Sequence, residues 1–548
     1  MFLRRTFCEG KWFPCIGDRC GKYVIRKSAD MGANYDVIVI GAGHNGLVCA
    51  CYLAKAGHKV LVLERRPVVG GAVVTEEVWP GYKIDLGSSV HLMIHQTPIV
   101  RELGLEQYGL HYIEMDPWAA FPLGDGRAIC FHRSLDKTCE SIAQVSRQDA
   151  DAYRDFVQRW LPVTRGVFQA FQKPPTMANF GRHVIFAKSP GRNSTDALRM
   201  IVSGYGRLLH ETFRTTEMRA AMGWLAAQSG PPPTEPGTGP FAAWWGAVHE
   251  SGATRARGGS GMLTVALRKA FEALGGTVLT DAPVEKIVVE GGRAVGVLVH
   301  GEQYWAKSIV AACHIKTTFD ALLAPEDVPP DLAHRLQSVN VGNGFGMTVR
   351  CAASELPDYG QGQHSEVHHG MQLLCPTPEF LTDAYADYVG GRPSAKPPVL
   401  AMTFSSIDGS LAPPGKHVVQ LWAQYFPYKR RDGKSWDDER EATADSICET
   451  LYAYAPNMRG AIEKRFIQTP LDLERTLGLV NGNVMHIEMS LDQMFAFRPL
   501  PELSEYKTPI AGLFLTGAST HPGGGVFGAS GISTSRVVGA MLRKERGK

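Results

Sequence analysis

Val37-Ile38-Val39-Ile40 is a short β-branched apolar run with no polar alternation, the pattern of a parallel strand buried on both faces. It stops at Gly41. From Leu47 to Ala56 the apolar positions recur at helical spacing until Gly57-His58 ends them, and Val60-Leu61-Val62-Leu63 is a second buried run that closes on Glu64. Together they predict a strand–helix–strand unit of about 30 residues. Residues 116–254 are richer in Trp, Phe and Pro, with helical stretches such as Asp149–Trp160 and a loop at Pro231-Pro232-Pro233. A helical pattern returns over Gly261–Leu274. The strands Thr277–Leu279 and Ile287–Val289 follow, and Gly291-Gly292 turns the chain into Ala294–Val299. Residues 321–474 are mixed, and Leu513–Leu542 reads strand, glycine-rich loop, helix.

At 548 residues the chain is too long for one simple core, so two successive or intertwined domains are expected. A net charge of +3 is nearly balanced at this length and gives no reason to expect a nucleic-acid partner. No apolar run reaches the ~18 residues of a spanning helix, which leaves only peripheral membrane contact open. Oligomeric state is left open as well. The 11 cysteines are scattered. Cys8, Cys15 and Cys20 cluster without a matching Cys or His pair, so no metal site is expected. Cys49 and Cys51 read as small buried residues, and the set as a whole suits a reducing compartment. Residues 1–33 are basic but interrupted by Glu9, Asp18 and Asp30, and they lack the apolar centre of a signal peptide. They read as an unstructured extension, with Met31 a natural beginning. The location expected is cytoplasmic, or mitochondrial should the basic stretch act as a presequence.

Gly41-Ala42-Gly43-His44-Asn45-Gly46 is a G-x-G-x-x-G fingerprint placed between a buried strand and a helix. Gly41 allows the tight turn, Gly43 lets backbone approach a pyrophosphate, and Gly46 lets helix and strand pack closely. The helix N-terminus then offers free N–H groups and partial positive charge to phosphates. Glu64 follows at the ~20-residue interval at which a carboxylate meets the ribose hydroxyls, and it disfavours a 2′-phosphate despite the adjacent Arg65 and Arg66. The expected ligand is a dinucleotide. The chain carries no Cys-x-x-Cys pair after the fingerprint and no second fingerprint for a nicotinamide cofactor; Gly342-Asn343-Gly344-Phe345-Gly346 follows a polar stretch and reads as a loop.

Gly70-Gly71-Ala72, then Thr75, Gly81, Asp85 and Gly87, resembles the glycine-doublet signature of FAD-dependent amine oxidases and phytoene desaturases. Gly258-Gly259-Ser260-Gly261, Thr516-Gly517-Ala518 and His521-Pro522-Gly523-Gly524-Gly525-Val526 agree with it. The opening at Gly43–Leu47 and the run from Asn483 to Arg498 narrow the likeness to a phytoene-dehydrogenase-like branch. The resemblance spans residues 35–542. It implies an α/β fold: a Rossmann-like, discontinuous FAD-binding domain with an α+β substrate domain. The expected division is 34–115, 255–320 and 475–548 for FAD, and 116–254 and 321–474 for the substrate.

The resemblance also implies a non-covalent FAD, one per chain. Gly41, Gly43, His44, Asn45, Gly46, Glu64, Arg65, Gly70, Gly71, Ala72 and Ser88 would hold it, with Val284 against the adenine and Gly517, Ala518, Gly525 and Val526 along the ribityl and ring. No Cys follows Cys448, so a cysteinyl link in the C-terminal motif is excluded. A helix beginning near Phe527 or Gly528 would place positive potential at the flavin N1/O2 edge.

Flavin chemistry needs few side chains. His91, His95, His486, Glu488 and His521 are the acid–base candidates, and loop placement favours His91 and His521 as catalytic. Asp492 and Arg498 read as an ion pair. Trp224, Trp244 and Trp245 read either as a tunnel lining or as core. The function expected is an FAD-dependent dehydrogenase or desaturase acting on an apolar or small unsaturated organic molecule. The alternatives are a redox-neutral reduced-flavin isomerase or hydratase, and an FAD-containing binding protein.

Overall fold

The computed structural model describes residues 34–176 and 194–546, together with Asn179 and two short strands, Thr6–Cys8 and Lys11–Phe13, which pair antiparallel. That pairing departs from a wholly unstructured extension; the rest of residues 1–33 lies outside the described residues.

Two seven-stranded sheets organise the chain. In the first, four strands run parallel to their neighbours about Tyr35–Ile40: Thr277–Leu279 beside Val60–Leu63, then Tyr35–Ile40, then Glu302–Ala311, with Leu513–Leu515 on its far side. The hairpin strands Val284–Glu290 and Arg293–Val299 attach antiparallel to the first half of Glu302–Ala311. The β-branched runs read from the sequence are buried as expected: Val37, Ile38, Val39, Leu61 and Val62 have no exposed surface. The helix His44–Lys55 packs against this sheet, flanked by Met262–Ala273 and Ala529–Arg546. Gly531 lets the last helix cross closely, because a side chain there would collide with the Asn45 carbonyl.

The register decides where a ligand can sit. Ile40 lies level with Leu63 and Ala311, and Ala311 lies level with Leu515. Four parallel strands therefore end in one row, and Gly41, Glu64, Ala312 and Thr516 emerge side by side. In open parallel sheets this carboxyl edge is where ligands bind.

The second sheet runs Ile462–Gln468, Gly344–Ala353, His417–Pro427, Val399–Met402, Met371–Leu374, Ala119–Pro122, Ala128–Phe131, and only the pair of Met371–Leu374 with Ala119–Pro122 is parallel. The helix Trp436–Tyr454 shares one hydrophobic cluster with it; Arg147–Phe171 and Thr216–Ala227 share another. Gly344–Ala353 is buried throughout. The segment from Gly342 is thus not a simple loop: Gly344 already pairs in the sheet, although these glycines still open no helix and form no second fingerprint. At the centre of this strand Arg350 is fully buried and donates to Thr348 Oγ1, Gln468 Oε1 and the Leu86 carbonyl. Trp224 and Trp245 are core residues whose indole N–H groups bond the Val399 and Leu225 carbonyls. Among the described residues no helix is long and apolar enough to cross a membrane.

Candidate functional site

Sequence dictates the turn that opens the site. The Gly41 amide bonds the Leu63 carbonyl at 2.7 Å, and its φ of 100° suits glycine. A side chain at Gly46 would strike the Gly41 carbonyl oxygen and the Ala312 methyl. The doublet lies directly on this turn: Gly70 N donates to Ala42 O at 2.9 Å, and Gly43 and Gly70 form a parallel bridge, bringing Gly71 against Gly43. Ala72 O then accepts from Ser88 N at 2.9 Å.

Glu64 stands beside Gly41 in the row of strand ends, 6% exposed. Its Oε2 accepts from Ala42 N at 2.9 Å and its Oε1 from Arg66 N at 3.0 Å, so its carboxylate is held in place before any ligand arrives. The Glu64 and Arg66 carbonyls accept from Ala282 N and Asp281 N, which lays the segment leading to Val284 alongside. The Arg65 guanidinium packs over Gly478.

The C-terminal segment closes the other side. Thr516 N continues the sheet to Ala311 O, and Gly517 N donates to Ser530 Oγ at 3.1 Å, tying the loop to the first turn of the last helix. That helix begins at Ala529, one to two residues later than the sequence pattern indicates. His44 reaches the Gly525 backbone and lies 3.0 Å from Asn45 Nδ2; burial lowers its pKa to about 4. His44 therefore joins the fingerprint to the triple-glycine loop. Val526 is buried nearby.

The cradle tests whether a dinucleotide fits. A Cβ on Gly43 would meet nothing within 4 Å, one on Gly517 only Ala312 O at 3.7 Å, and one on Gly525 only Met93 Cγ at 3.9 Å. Backbone from three separate segments thus faces open space, where side chains would otherwise project. Such a cradle could hold the phosphates and ribityl chain of a flavin dinucleotide, with Glu64 at the ribose position.

Arg498 corrects one expectation. It is fully buried, and it donates to neutral carbonyls rather than to Asp492: Ala518 O at 2.7 and 3.0 Å, Met485 O, Ile487 O, Glu488 O and Gln493 O. Burial brings its pKa down to about 9, opposed by Glu488. A guanidinium with five donors suits this role, fixing the loop at Ala518 to the run at 485–493.

The favoured histidines sit deeper than the sequence implies. His91 has no exposed surface and both ring nitrogens are engaged, Nδ1 with Tyr112 Oη at 3.0 Å and Nε2 with Ser260 Oγ at 2.8 Å; burial lowers its pKa to about 3. Ser260 Oγ also meets Ser88 Oγ at 2.6 Å, so His91 fixes the Ser88 loop to the Gly258–Gly261 segment. His521 is fully buried among Phe171 and Phe495, with Nε2 3.3 Å from Ala170 O, and burial lowers its pKa to about 4. His486 bonds Ser519 Oγ and packs on His314.

Glu488, weighed in the sequence but not favoured there, lines a cavity, as His95 lines another. The Glu488 cavity holds about 280 Å³ and is walled by Phe345, Tyr385, Tyr388, Tyr425 and Gln424, with Glu235 at its rim. Burial pushes the Glu488 carboxyl up to about 7, against the lowering effect of Arg498. Only its burial distinguishes it from other glutamates, and a sequence shows no burial.

Comparison with known proteins agrees with this geometry. The family model described as "Flavin containing amine oxidoreductase" matches residues 46–538. The chain is 32% identical over 93% of its length to pyridine nucleotide-disulfide oxidoreductase domain-containing protein 2 of Mus musculus, covering 95% of that protein. It is 30% identical over 92% of its length to a limonene dehydrogenase polypeptide of Castellaniella defragrans, covering 94% of it. The crystal structure of an oxidoreductase from Methanosarcina mazei superposes with a TM-score of 0.60 at 17% identity, over 92% of this chain and 99% of that one, which shows a shared fold. With the strand ends, the cradle and the matched sequence in agreement, the chain belongs to the flavin-containing amine oxidoreductase family and is an FAD-dependent oxidoreductase.

Proposed function

We propose that the chain holds one FAD non-covalently across the strand ends and dehydrogenates a largely apolar or small unsaturated organic molecule. The observation that carries this reading is the row Gly41–Glu64–Ala312–Thr516, faced by unfilled backbone at Gly43, Gly517 and Gly525. In it, the fingerprint residues Gly41 to Gly46, with Gly70, Gly71, Ala72 and Ser88, hold the phosphates. Glu64 accepts the ribose hydroxyls and Arg65 neighbours them, while Val284 lies at the adenine. Gly517, Ala518, Gly525 and Val526 line the ribityl chain and ring. Bound flavin supplies the hydride acceptor.

The protein's own groups do the rest. The cavity's aromatic walls, Phe345, Tyr385, Tyr388 and Tyr425, offer apolar faces to a substrate beside the polar groups of Gln424, Glu235 and Glu488. Glu488 takes the proton, because a carboxyl with a pKa near 7 can be a base at neutral pH, and Arg498 links its backbone directly to Ala518. His91 and His521 are positioning residues here: both nitrogens of the neutral His91 ring hold loops, and His521 holds the Ala170 carbonyl through Nε2 while its buried Nδ1 keeps no partner among the described residues. The likeness to the limonene dehydrogenase polypeptide supports an apolar substrate.

The test is anaerobic. The purified protein is mixed with a panel of apolar unsaturated compounds, terpenoid hydrocarbons and alcohols included, and the flavin absorbance is followed. Bleaching by a substrate supports dehydrogenation. Turnover that begins only after prior reduction with dithionite overturns it in favour of redox-neutral chemistry.

A further inference from the structure

Away from the cradle, at the far edge of the second sheet, three ligand types meet that the proposed flavin chemistry does not use. Cys130 lies in the edge strand Ala128–Phe131, and His132 follows two positions on, so both side chains leave the same face. Glu366 opens the short turn Glu366–His369, distant in sequence but adjacent in space. Cys130 Sγ, one His132 nitrogen and one Glu366 carboxylate oxygen all lie within 4.8 Å of one another.

The backbone beneath them is braced. Cys130 N donates to Ser141 Oγ and His132 N to Thr138 Oγ1, both at 2.8 Å. His132 Nδ1 lies 3.1 Å from Asp116 Oδ1, which also accepts from Arg133 N at 3.0 Å. A carboxylate acceptor at Nδ1 fixes the proton there and leaves the Nε2 lone pair facing outward, the arrangement that orients histidine toward metals. Glu366 Oε1 faces that Nε2 at 3.8 Å. With the ring neutral and its proton on Nδ1, the Nε2 lone pair, the Glu366 oxygen and the buried sulfur form a donor set that a cation would complete.

We propose that Cys130, His132 and Glu366 form a binding site for one borderline-soft divalent cation of the Zn²⁺ class, with Asp116 as the outer partner of the histidine. Metal–nitrogen and metal–oxygen bonds of about 2.0–2.1 Å in tetrahedral geometry put those two ligand atoms roughly 3.3–3.4 Å apart. The His132–Glu366 separation of 3.8 Å exceeds that slightly, and Glu366, 56% exposed, is free to move inward. Thiolate with imidazole selects the Zn²⁺ class over Mg²⁺ or Ca²⁺. Binding displaces the Cys130 proton to solvent, and a water completes the fourth position. The cation would pin the Glu366–His369 turn to the sheet edge, a structural role separate from turnover.

The flavin-loaded full chain, dialysed against a chelator, is titrated with Co²⁺. The expected result is one Co²⁺ per chain, with tetrahedral d–d absorption to the red of the flavin bands and a thiolate-to-cobalt band that Zn²⁺ abolishes by competition. Cys130→Ser should lose the thiolate band. Glu366→Gln and His132→Gln should weaken uptake at least tenfold, and Asp116→Asn by roughly 10–100-fold, with the flavin spectrum unaltered. Glu366 is a surface side chain, so its variant keeps the test decisive should Cys130→Ser fail to fold. Absence of stoichiometric uptake by the unmodified protein, or uptake unchanged in Glu366→Gln and His132→Gln, would overturn the site.

Discussion

Replacing Glu64 by alanine separates what this carboxylate does for the protein from what it does for the cofactor. In the folded chain its two oxygens already accept from Ala42 N and Arg66 N at 2.9 and 3.0 Å. Its removal leaves two amides of the fingerprint turn unpaired, each at a cost of about 1–3 kcal/mol where water cannot replace the partner. The apoprotein should therefore melt several degrees lower. The ribose contact is an additional loss: hydrogen bonds to an ionised acceptor that are made only when FAD is bound contribute about 1–3 kcal/mol, roughly a 5- to 150-fold rise in Kd. FAD affinity is read by fluorescence quenching on titrating apoprotein with FAD, and stability by thermal melting without FAD. Glu64→Gln keeps an acceptor toward Arg66 but presents a donor to Ala42 N, and should fall between the two. A variant whose melting temperature drops while its FAD affinity stays unchanged would place Glu64 in the turn but not against the ribose, and would refute the assignment.

Two further perturbations probe other parts of the site. Glu488→Gln should abolish the rise in turnover through pH about 7, because the carboxyl must lose its proton to act as a base. Its effect on stability has a defined sign. The native carboxyl keeps its proton up to about pH 7, whereas the unfolded chain releases it near 4.5, so this group makes stability fall as pH rises across that window. The buried neutral rings of His44, His91 and His521 act oppositely, making stability fall as pH drops below 6.5, so the difference between parent and variant melting curves is the quantity to read. Gly525→Val places a branched side chain in open cradle space at a φ of 103°, a strain of roughly 1–3 kcal/mol. FAD occupancy should fall at least tenfold with little change in far-ultraviolet dichroism, and full occupancy would remove Gly525 from the cofactor's wall.

Much of the first sheet was legible because its strands announce themselves, but its central strand Glu302–Ala311, broken by Gln303, Lys307 and Ser308, was not. Val37–Ile40 and Val60–Leu63 are β-branched and uninterrupted, and glycines follow at the interval a phosphate loop requires. The second sheet was less legible for a physical reason. Gly344–Ala353 carries Thr348 and Arg350 inside the sheet, and their polarity is satisfied by distant partners, Gln468 and the Leu86 carbonyl, that no local pattern reveals. Arg498 misled in the same way: Asp492 is its near neighbour in sequence, yet its donors go to backbone carbonyls. The cavity carboxyl Glu488 and the cluster Cys130–His132–Glu366 depend on burial and long-range proximity, which spacing along a chain does not encode.

The proposed non-covalent FAD in the strand-end cradle is tested most directly by the flavin content of the purified protein before and after acid precipitation, with the released compound identified by chromatography. One FAD per chain should be recovered in the supernatant from a colourless pellet. Protein that neither contains nor takes up FAD would contradict the cradle, and colour retained in the pellet would contradict non-covalent binding.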